Sequence, residues 1–417
     1  MSLHEAADGI LETHVTWQDV EEALQKSFST KAKFGGNKKA TNISDMKGFM
    51  SRIALVEVDW IGVEEGKELP AKFIVKMSSE MAIVAFSKAM KYGGDGGFDE
   101  EKLKNLAKVI RNIHNREVEA YKMLQKFNHP DIPYTKIYAM KAFEKDDDLK
   151  GFIVAEYLPD LNSNLFKSVT ADDLIPVVRA IATFAALAET IPAEEKQFAD
   201  GKLYFESLFG MFFDDNSLKK SLEGIRNVFG EELKGTVDRV IEIFWQYRRN
   251  MDKFSNAAAL LGLKQVLNHG DMWISNILHR LDENGKMKVL ALIDWQGVSM
   301  MPPGLDLSRL LIGTLSPEDR KARGIELLHH YHDTFNSTLG KQLFTFEELV
   351  NSYNLFLPMN AMVILPGCMP FLNQAQLPEE QRNQIKGMML HMMTGIMENV
   401  LEAHEHNMKT FPRFVTD

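Results

Sequence analysis

Asn268-His269-Gly270-Asp271-Met272-Trp273-Ile274-Ser275-Asn276 is followed by the apolar-rich runs Ile277–Arg280 and Val289–Ile293, and the second run continues into Asp294-Trp295. The pattern is His-x-Asp-x-x-x-x-Asn, a short hairpin and a strand closing on Ile-Asp-Trp. Leu281 to Met287 separates the runs, and its Asn284-Gly285 pair is expected to supply the positive φ angles of a tight turn. Asn276 and Asp294 each stand nine positions from Gly285, so closing the hairpin there brings both to its open end. Asp271 lies in the loop leading into that end.

Two carboxylates and an amide carbonyl converging on one spot form a hard-oxygen site suited to Mg²⁺ and a phosphate chain. A carboxylate that accepts a hydroxyl proton, an Asn on one magnesium and an Asp between magnesium and phosphates is an arrangement for phosphoryl transfer. Taken alone, His269 and Asp271 are as well read as loop caps, and Asp294 as a strand end. The Asn spacing, the hairpin and Ile293-Asp294-Trp295 together favour the chemical reading.

The chain has 417 residues, enough for two or three packed units with a large core. With 48 basic and 58 acidic residues it carries a formal charge of −10, which argues against nucleic acid or an anionic membrane as its main partner. One cysteine, Cys368, leaves no intrachain disulfide and no cysteine metal cluster. No apolar run reaches the length of a membrane span, and the N-terminus shows no signal-peptide pattern, so a cytoplasmic protein is expected. No obligate protein partner is evident.

Residues 1–30 read as a leading helical segment, with a capping-box start at Thr16–Asp19. Arg52–Trp60 and Lys72–Met77 read as two strands of a hairpin, in which Lys72, Ile74 and Lys76 share a face. The bend Gly48-Phe49-Met50-Ser51 precedes them and is placed to lie over phosphates, although the chain has no G-x-G-x-x-G. An amphipathic helix from Asp99 to about Phe127 puts Glu117 at the centre of its apolar stripe. A buried carboxylate needs a cation, and Lys76 is the expected partner, with Arg116 and Arg111 as local alternatives. The strand Gly151–Tyr157 ends at Leu158-Pro159, where backbone groups near Glu156 and Leu158 are expected to meet a nucleotide base edge. From residue 160 the pattern is helical, with stretches at 203–213, 217–229 and 231–256 and, after Pro302-Pro303-Gly304, a helix that Asp306 is expected to cap.

The order of parts is kinase-like, but Gly270 and Asp294-Trp295-Gln296 depart from the protein-kinase pattern. They resemble the aminoglycoside and choline phosphotransferases, whose signature is His-Gly-Asp with Asn five residues on. In particular, Asp45–Ser51, Leu69–Lys76, Asn115–Tyr121, His269–Asn276 and Ile293–Gly297 resemble the CHK kinase-like proteins, a nematode-expanded branch near the ecdysteroid kinases. The likeness runs from about residue 30 to 310.

That resemblance implies an α+β, two-lobed protein-kinase-like fold, with a nucleotide-binding lobe at 1–158 and a helical catalytic and acceptor-binding lobe at 159–417. It implies ATP and Mg²⁺ as cofactors and a small-molecule hydroxyl as acceptor. By the same resemblance Asp271 is the catalytic base, braced by His269, and Asn276 and Asp294 are the metal ligands. Lys76 holds the phosphates, oriented by Glu117, and Gly48, Phe49, Met50 and Ser51 cover the nucleotide. Tyr353, Phe356, Met359, Met362 and Phe371 are candidates for an apolar acceptor pocket, which would favour a bulky alcohol such as a steroid. The competing expectation is a catalytically silent kinase-like module that binds a nucleotide or another ligand.

Overall fold

The computed structural model describes residues 2–44, 50–89, 97–162, 169–201, 205, 215–229, 231–372 and 378–416. The chain divides into two compact units, Met1–Lys126 with Tyr134–Leu161, and Phe127–Pro133 with Asn162–Asp417. The architecture is α+β, with a small antiparallel sheet in the first unit and mainly helices in the second.

In the first unit β1 (Lys39–Asn42), β2 (Ser51–Glu57), β3 (Lys72–Ser78), β4 (Ile137–Lys141) and β5 (Phe152–Glu156) form one sheet in the order β1-β2-β3-β5-β4. Every pairing in it is antiparallel. The hairpin expected from the sequence is β2 against β3, with Ile53 opposite Lys76. Alternation along β3 buries Phe73, Val75 and Met77 and leaves Lys72, Ile74 and Lys76 on the less buried face. The buried face joins Val20 and Leu24 of helix α1 (Trp17–Phe28) in one core. Helix α1 starts at the expected capping box, in which Thr16 and Asp19 each accept the other's backbone N–H. Helix α2 (Glu100–Phe127) carries Glu117 on its buried side.

The second unit is built on α3 (Ala171–Ala188), α4 (Asp215–Val228), α5 (Lys234–Arg249), α6 (Gly304–Thr314), α7 (Pro317–Leu339), α8 (Phe346–Cys368) and α9 (Glu379–Thr410). Two small antiparallel pairs interrupt the helices. They are β6 (Val266–Asn268) with β9 (Ser299–Met301), and β7 (Ile277–Leu281) with β8 (Met287–Leu292). The stretch 231–256 is broken, not continuous. Helix α5 stops at Arg249 because the Asn250 side chain takes the Gln246 carbonyl, competing with the helical ladder. The helix expected over 203–213 falls almost wholly outside the described residues.

Candidate active site

The β7–β8 hairpin brings Asn276 and Asp294 to its open end, one step off the expected register. The pairs nearest the turn, such as Met287 with Leu281, centre on Asn284 and not on Gly285. A bulge between Val289 and Ala291 recovers part of that offset, so Ile277 faces Leu292 and Ile293 N–H donates to Asn276 O at 3.0 Å. The turn also differs from expectation. Gly285 has φ 76° but Asn284 is not in the positive-φ region. Asp282 closes the loop instead, its side chain accepting the N–H groups of Asn284 and Lys286. Just past the strand, Asp294 itself adopts φ 66°, a left-handed conformation uncommon outside glycine, and its Oδ2 accepts the Gln296 side-chain N–H at 3.3 Å.

His269 is wholly buried and neutral by its partners. Its Nε2 lies 3.0 Å from Ile293 O, to which it must donate, and its Nδ1 accepts the Asp271 N–H at 3.3 Å. The ring packs on Trp295, 4.5 Å between centroids. Gly270 has φ 84°, and a Cβ there would sit 1.9 Å from Gly297 O. The His-Gly-Asp turn and the Ile-Asp-Trp-Gln-Gly segment therefore touch backbone to backbone, which explains a glycine in each.

Asp306 is not the cap of its own helix. Its carboxylate, 2% exposed, reaches across to the loop, where Oδ2 accepts the His269 N–H at 2.5 Å and Oδ1 the Gly270 N–H at 2.7 Å. Burial pushes this carboxyl up to about 6. Three residues further along α6, Arg309 forms an ion pair with Asp271 Oδ1. Neither contact was read from the sequence. The signal available was the Asp-x-x-Arg spacing, which places both side chains on one helix face.

Asp271 is half-buried. Burial and then the neighbouring negative charge of Asp294 raise its carboxyl above the usual range, while Arg309 and Asn276 pull it down. The Asn276 amide nitrogen donates to Asp271 O at 2.7 Å and to Asp271 Oδ2 at 3.3 Å, which leaves Asn276 Oδ1 as the amide's acceptor. Among the described residues no group of three or more His, Cys, Asp or Glu side chains could hold a metal alone. One carboxylate and one amide oxygen, beside a second carboxylate, fit a magnesium ion that takes its remaining ligands from phosphate and water.

In the first unit Lys76 Nζ meets Glu117 Oε2 at 2.7 Å, with side-chain exposures of 18% and 2%. The pair expected from the helix stripe is formed, whereas Arg111 turns its Nε to Asp148 O. Ser51 opens β2 and is buried, and Met50 O accepts the Ser79 N–H. Gly48 and Phe49 lie outside the described residues. Glu156 pairs with the adjoining chain through both its groups, its N–H donating to Lys136 O and its side chain accepting the Lys136 N–H. Leu158 follows, half-buried. The proposed acceptor set dissolves into packing: Phe356, Met359 and Met362 are fully buried in the core of the helical unit, with Tyr353 packed against it. The side chain of Phe371 lies outside the described residues.

A sheet unit bearing a lysine–glutamate pair, and a helical unit bearing a His-Gly-Asp loop and a hairpin closed by Ile-Asp-Trp, define a protein of kinase-like α+β fold. The chain belongs to the family DUF1679, described as "Uncharacterized oxidoreductase dhs-27", whose model matches residues 3–408. A Caenorhabditis elegans protein described as an uncharacterized kinase-like protein is 37% identical over 123 residues. That match covers 29% of this chain and 31% of the relative, so it spans under a third of the relative's length. Among solved structures, a microcompartment-associated aminopropanol kinase is 12% identical, with 92% of this chain and 98% of that one covered and a TM-score of 0.46. A spectinomycin phosphotransferase in complex with ADP and spectinomycin is 14% identical, with 94% and 100% covered and a TM-score of 0.41. These overlaps are distant, and what the two neighbours act on belongs to them. Among the described residues no helix is long and apolar enough to cross a membrane.

Proposed function

We propose that this chain is a nucleoside-triphosphate-dependent phosphotransferase that moves a γ-phosphoryl group to a hydroxyl of a small molecule. The observation that carries the reading is the hydrogen-bonded meeting of Asp271 and Asn276 next to the charge of Asp294. Asp271 takes the proton of the acceptor hydroxyl. His269 fixes the loop by donating to Ile293 O and receiving the Asp271 N–H. Asn276 and Asp294 would hold magnesium, which when bound neutralises charge on the phosphate oxygens. Lys76, steadied by Glu117, binds phosphate oxygens. Met50 and Ser51, with Gly48 and Phe49, cover the nucleotide, and backbone groups at Glu156 and Leu158 receive its base.

The oxidoreductase named in the family description finds no support in these features. The five-stranded sheet is antiparallel throughout, whereas a dinucleotide fold needs parallel strands and a G-x-G-x-x-G turn that this chain lacks. Because Phe356, Met359 and Met362 are core, they do not line an acceptor pocket, and the reading names a hydroxyl-bearing small molecule without specifying its class. ATP and a cytoplasmic setting go with it.

The test is thermal unfolding with ATP plus Mg²⁺ against ATP plus chelator, for the wild type and Asp294→Asn. At ~100 times its dissociation constant a ligand adds about 2.7 kcal/mol. Stabilisation of the wild type that requires metal and is lost in Asp294→Asn is the expected result. No shift with any nucleotide at any metal concentration sinks the reading.

A further inference from the structure

Helix α6 grips the His-Gly-Asp loop twice within one turn. Asp306 takes the backbone N–H groups of His269 and Gly270. Arg309, on the same helix face, takes the side chain of the next residue, Asp271. The two oxygens of Asp271 are thereby made unequal. Oδ1 is shielded from solvent and faces the Arg309 guanidinium, whose side chain is 15% exposed. Among the described residues Oδ2 receives only the long 3.3 Å bond from Asn276, which leaves it capacity to accept another proton donor.

We propose that Arg309 is a positioning residue for the base: it holds Asp271 Oδ1, so that Oδ2 is the oxygen that receives the acceptor's proton. This rests on the phosphotransferase reading above. In the step it serves, the acceptor O–H proton passes to Oδ2 and the acceptor oxygen bonds to the γ-phosphorus of a nucleoside triphosphate. The bond from that phosphorus to the β–γ bridging oxygen breaks, and the nucleoside diphosphate leaves with the electron pair. A carboxylate free to rotate would spend much of its time with neither oxygen aligned, and misplacement of a reacting group by about 1 Å can cost ~10²-fold. Arg309 removes that freedom without touching substrate.

The experiment uses MgATP with water as the acceptor and follows ADP formation, with Asp271→Asn as reference. Arg309→Met should lower kcat about 10-fold or more while KM for MgATP stays within about twofold, because the lost interaction orients the base and does not bind nucleotide. Arg309→Lys, which keeps a cation, should recover part of the loss. A wild-type kcat in Arg309→Met, or equal losses in kcat and in nucleotide affinity, overturns the proposal. If Arg309→Met does not fold, Arg309→Lys faster than Arg309→Gln supports it, and Lys no better than Gln overturns it. Failure of the underlying reading looks different: the wild type forms no ADP, or Asp271→Asn forms it as fast as the wild type.

Discussion

The two units dispose of buried negative charge in opposite ways. In the sheet unit Glu117 is met by a side chain, the Lys76 ammonium, at 2.7 Å. In the helical unit Asp306 is met by two backbone N–H groups of the loop it holds. The first device fastens two side chains to each other across a strand and a helix. The second fastens a helix to a turn whose conformation, with Gly270 at φ 84°, carries Asp271. One pair sets the place of a charge and the other sets the shape of a backbone, so the same kind of residue, a buried carboxylate, fails differently in each unit when its partner is removed.

The sharpest way to break this contrast is at Lys76. Lys76→Met leaves Glu117 buried without its cation and should destabilise the protein by about 3–5 kcal/mol in chemical denaturation. Lys76→Met combined with Glu117→Leu should recover most of that loss, since removing both charges removes the desolvation problem. A single-variant cost under about 1 kcal/mol would mean that Glu117 is neutralised by another cation, with the neighbouring Arg116 first to examine, and that the sheet unit does not rely on one pair.

The same contrast explains what was legible in the sequence. Lys76 and Glu117 belong to elements with fixed periods, two for the strand and 3.6 for the helix, so their faces can be counted and their meeting anticipated. Asn276 and Asp294 were legible for a similar reason, since a hairpin pairs residues by number. The one-step error came from the turn, which centres the pairs nearest it on Asn284 and not on Gly285, and the bulge at Val289/Ala291 gives back only half of that offset. Asp306 and Arg309 were missed because their targets leave no periodic trace. Backbone N–H groups are the same in every residue, so a carboxylate in the first turn of α6 looks like a cap until its direction is known. The apolar acceptor set failed on the converse point. Aromatic and methionine residues in α8 signal burial, and burial in this helix means core.

Acid pH sharpens the comparison, because each unit holds a buried group that titrates between pH 4 and 6.5, with opposite sign. His114 in α2 is 3% exposed, donates from Nε2 to Lys141 O at 2.8 Å, and is pushed down to about 4, first by burial and then by the charge of Lys76. The unfolded chain protonates it near 6.5 and the folded one only near 4, so its stabilisation is complete above pH 6.5 and is lost as pH falls through 4. Over the whole window this is worth about 3 kcal/mol. Asp306 runs the other way: with its carboxyl raised from 3.8 to about 6, its stabilisation is complete below 3.8 and is lost as pH rises through 6. His114→Gln keeps a donor and cannot titrate, so the difference between wild type and variant isolates the histidine. The wild type should lose stability relative to His114→Gln as pH falls from 7 to 4. Parallel pH profiles would show that His114 is protonated in the folded state.

The smallest expected effect tests the other side of the comparison. Asp306→Asn preserves volume but offers one acceptor oxygen where the loop presents two N–H groups, at His269 and Gly270. One of those N–H groups is left buried without a partner, a cost of about 1–3 kcal/mol by chemical denaturation. The loss should fall unevenly on stability and turnover, because the orphaned group lies beside Asp271, whose N–H is itself held by the His269 ring. MgATP turnover should therefore fall by more than the stability change accounts for at temperatures where the variant is fully folded. The Lys76→Met protein, folded under the same conditions, should show its defect in nucleotide affinity. If Asp306→Asn weakens nucleotide binding and spares turnover, the division of labour between a charge-placing unit and a backbone-shaping unit is wrong, and Asp306 acts on the nucleotide side of the chemistry.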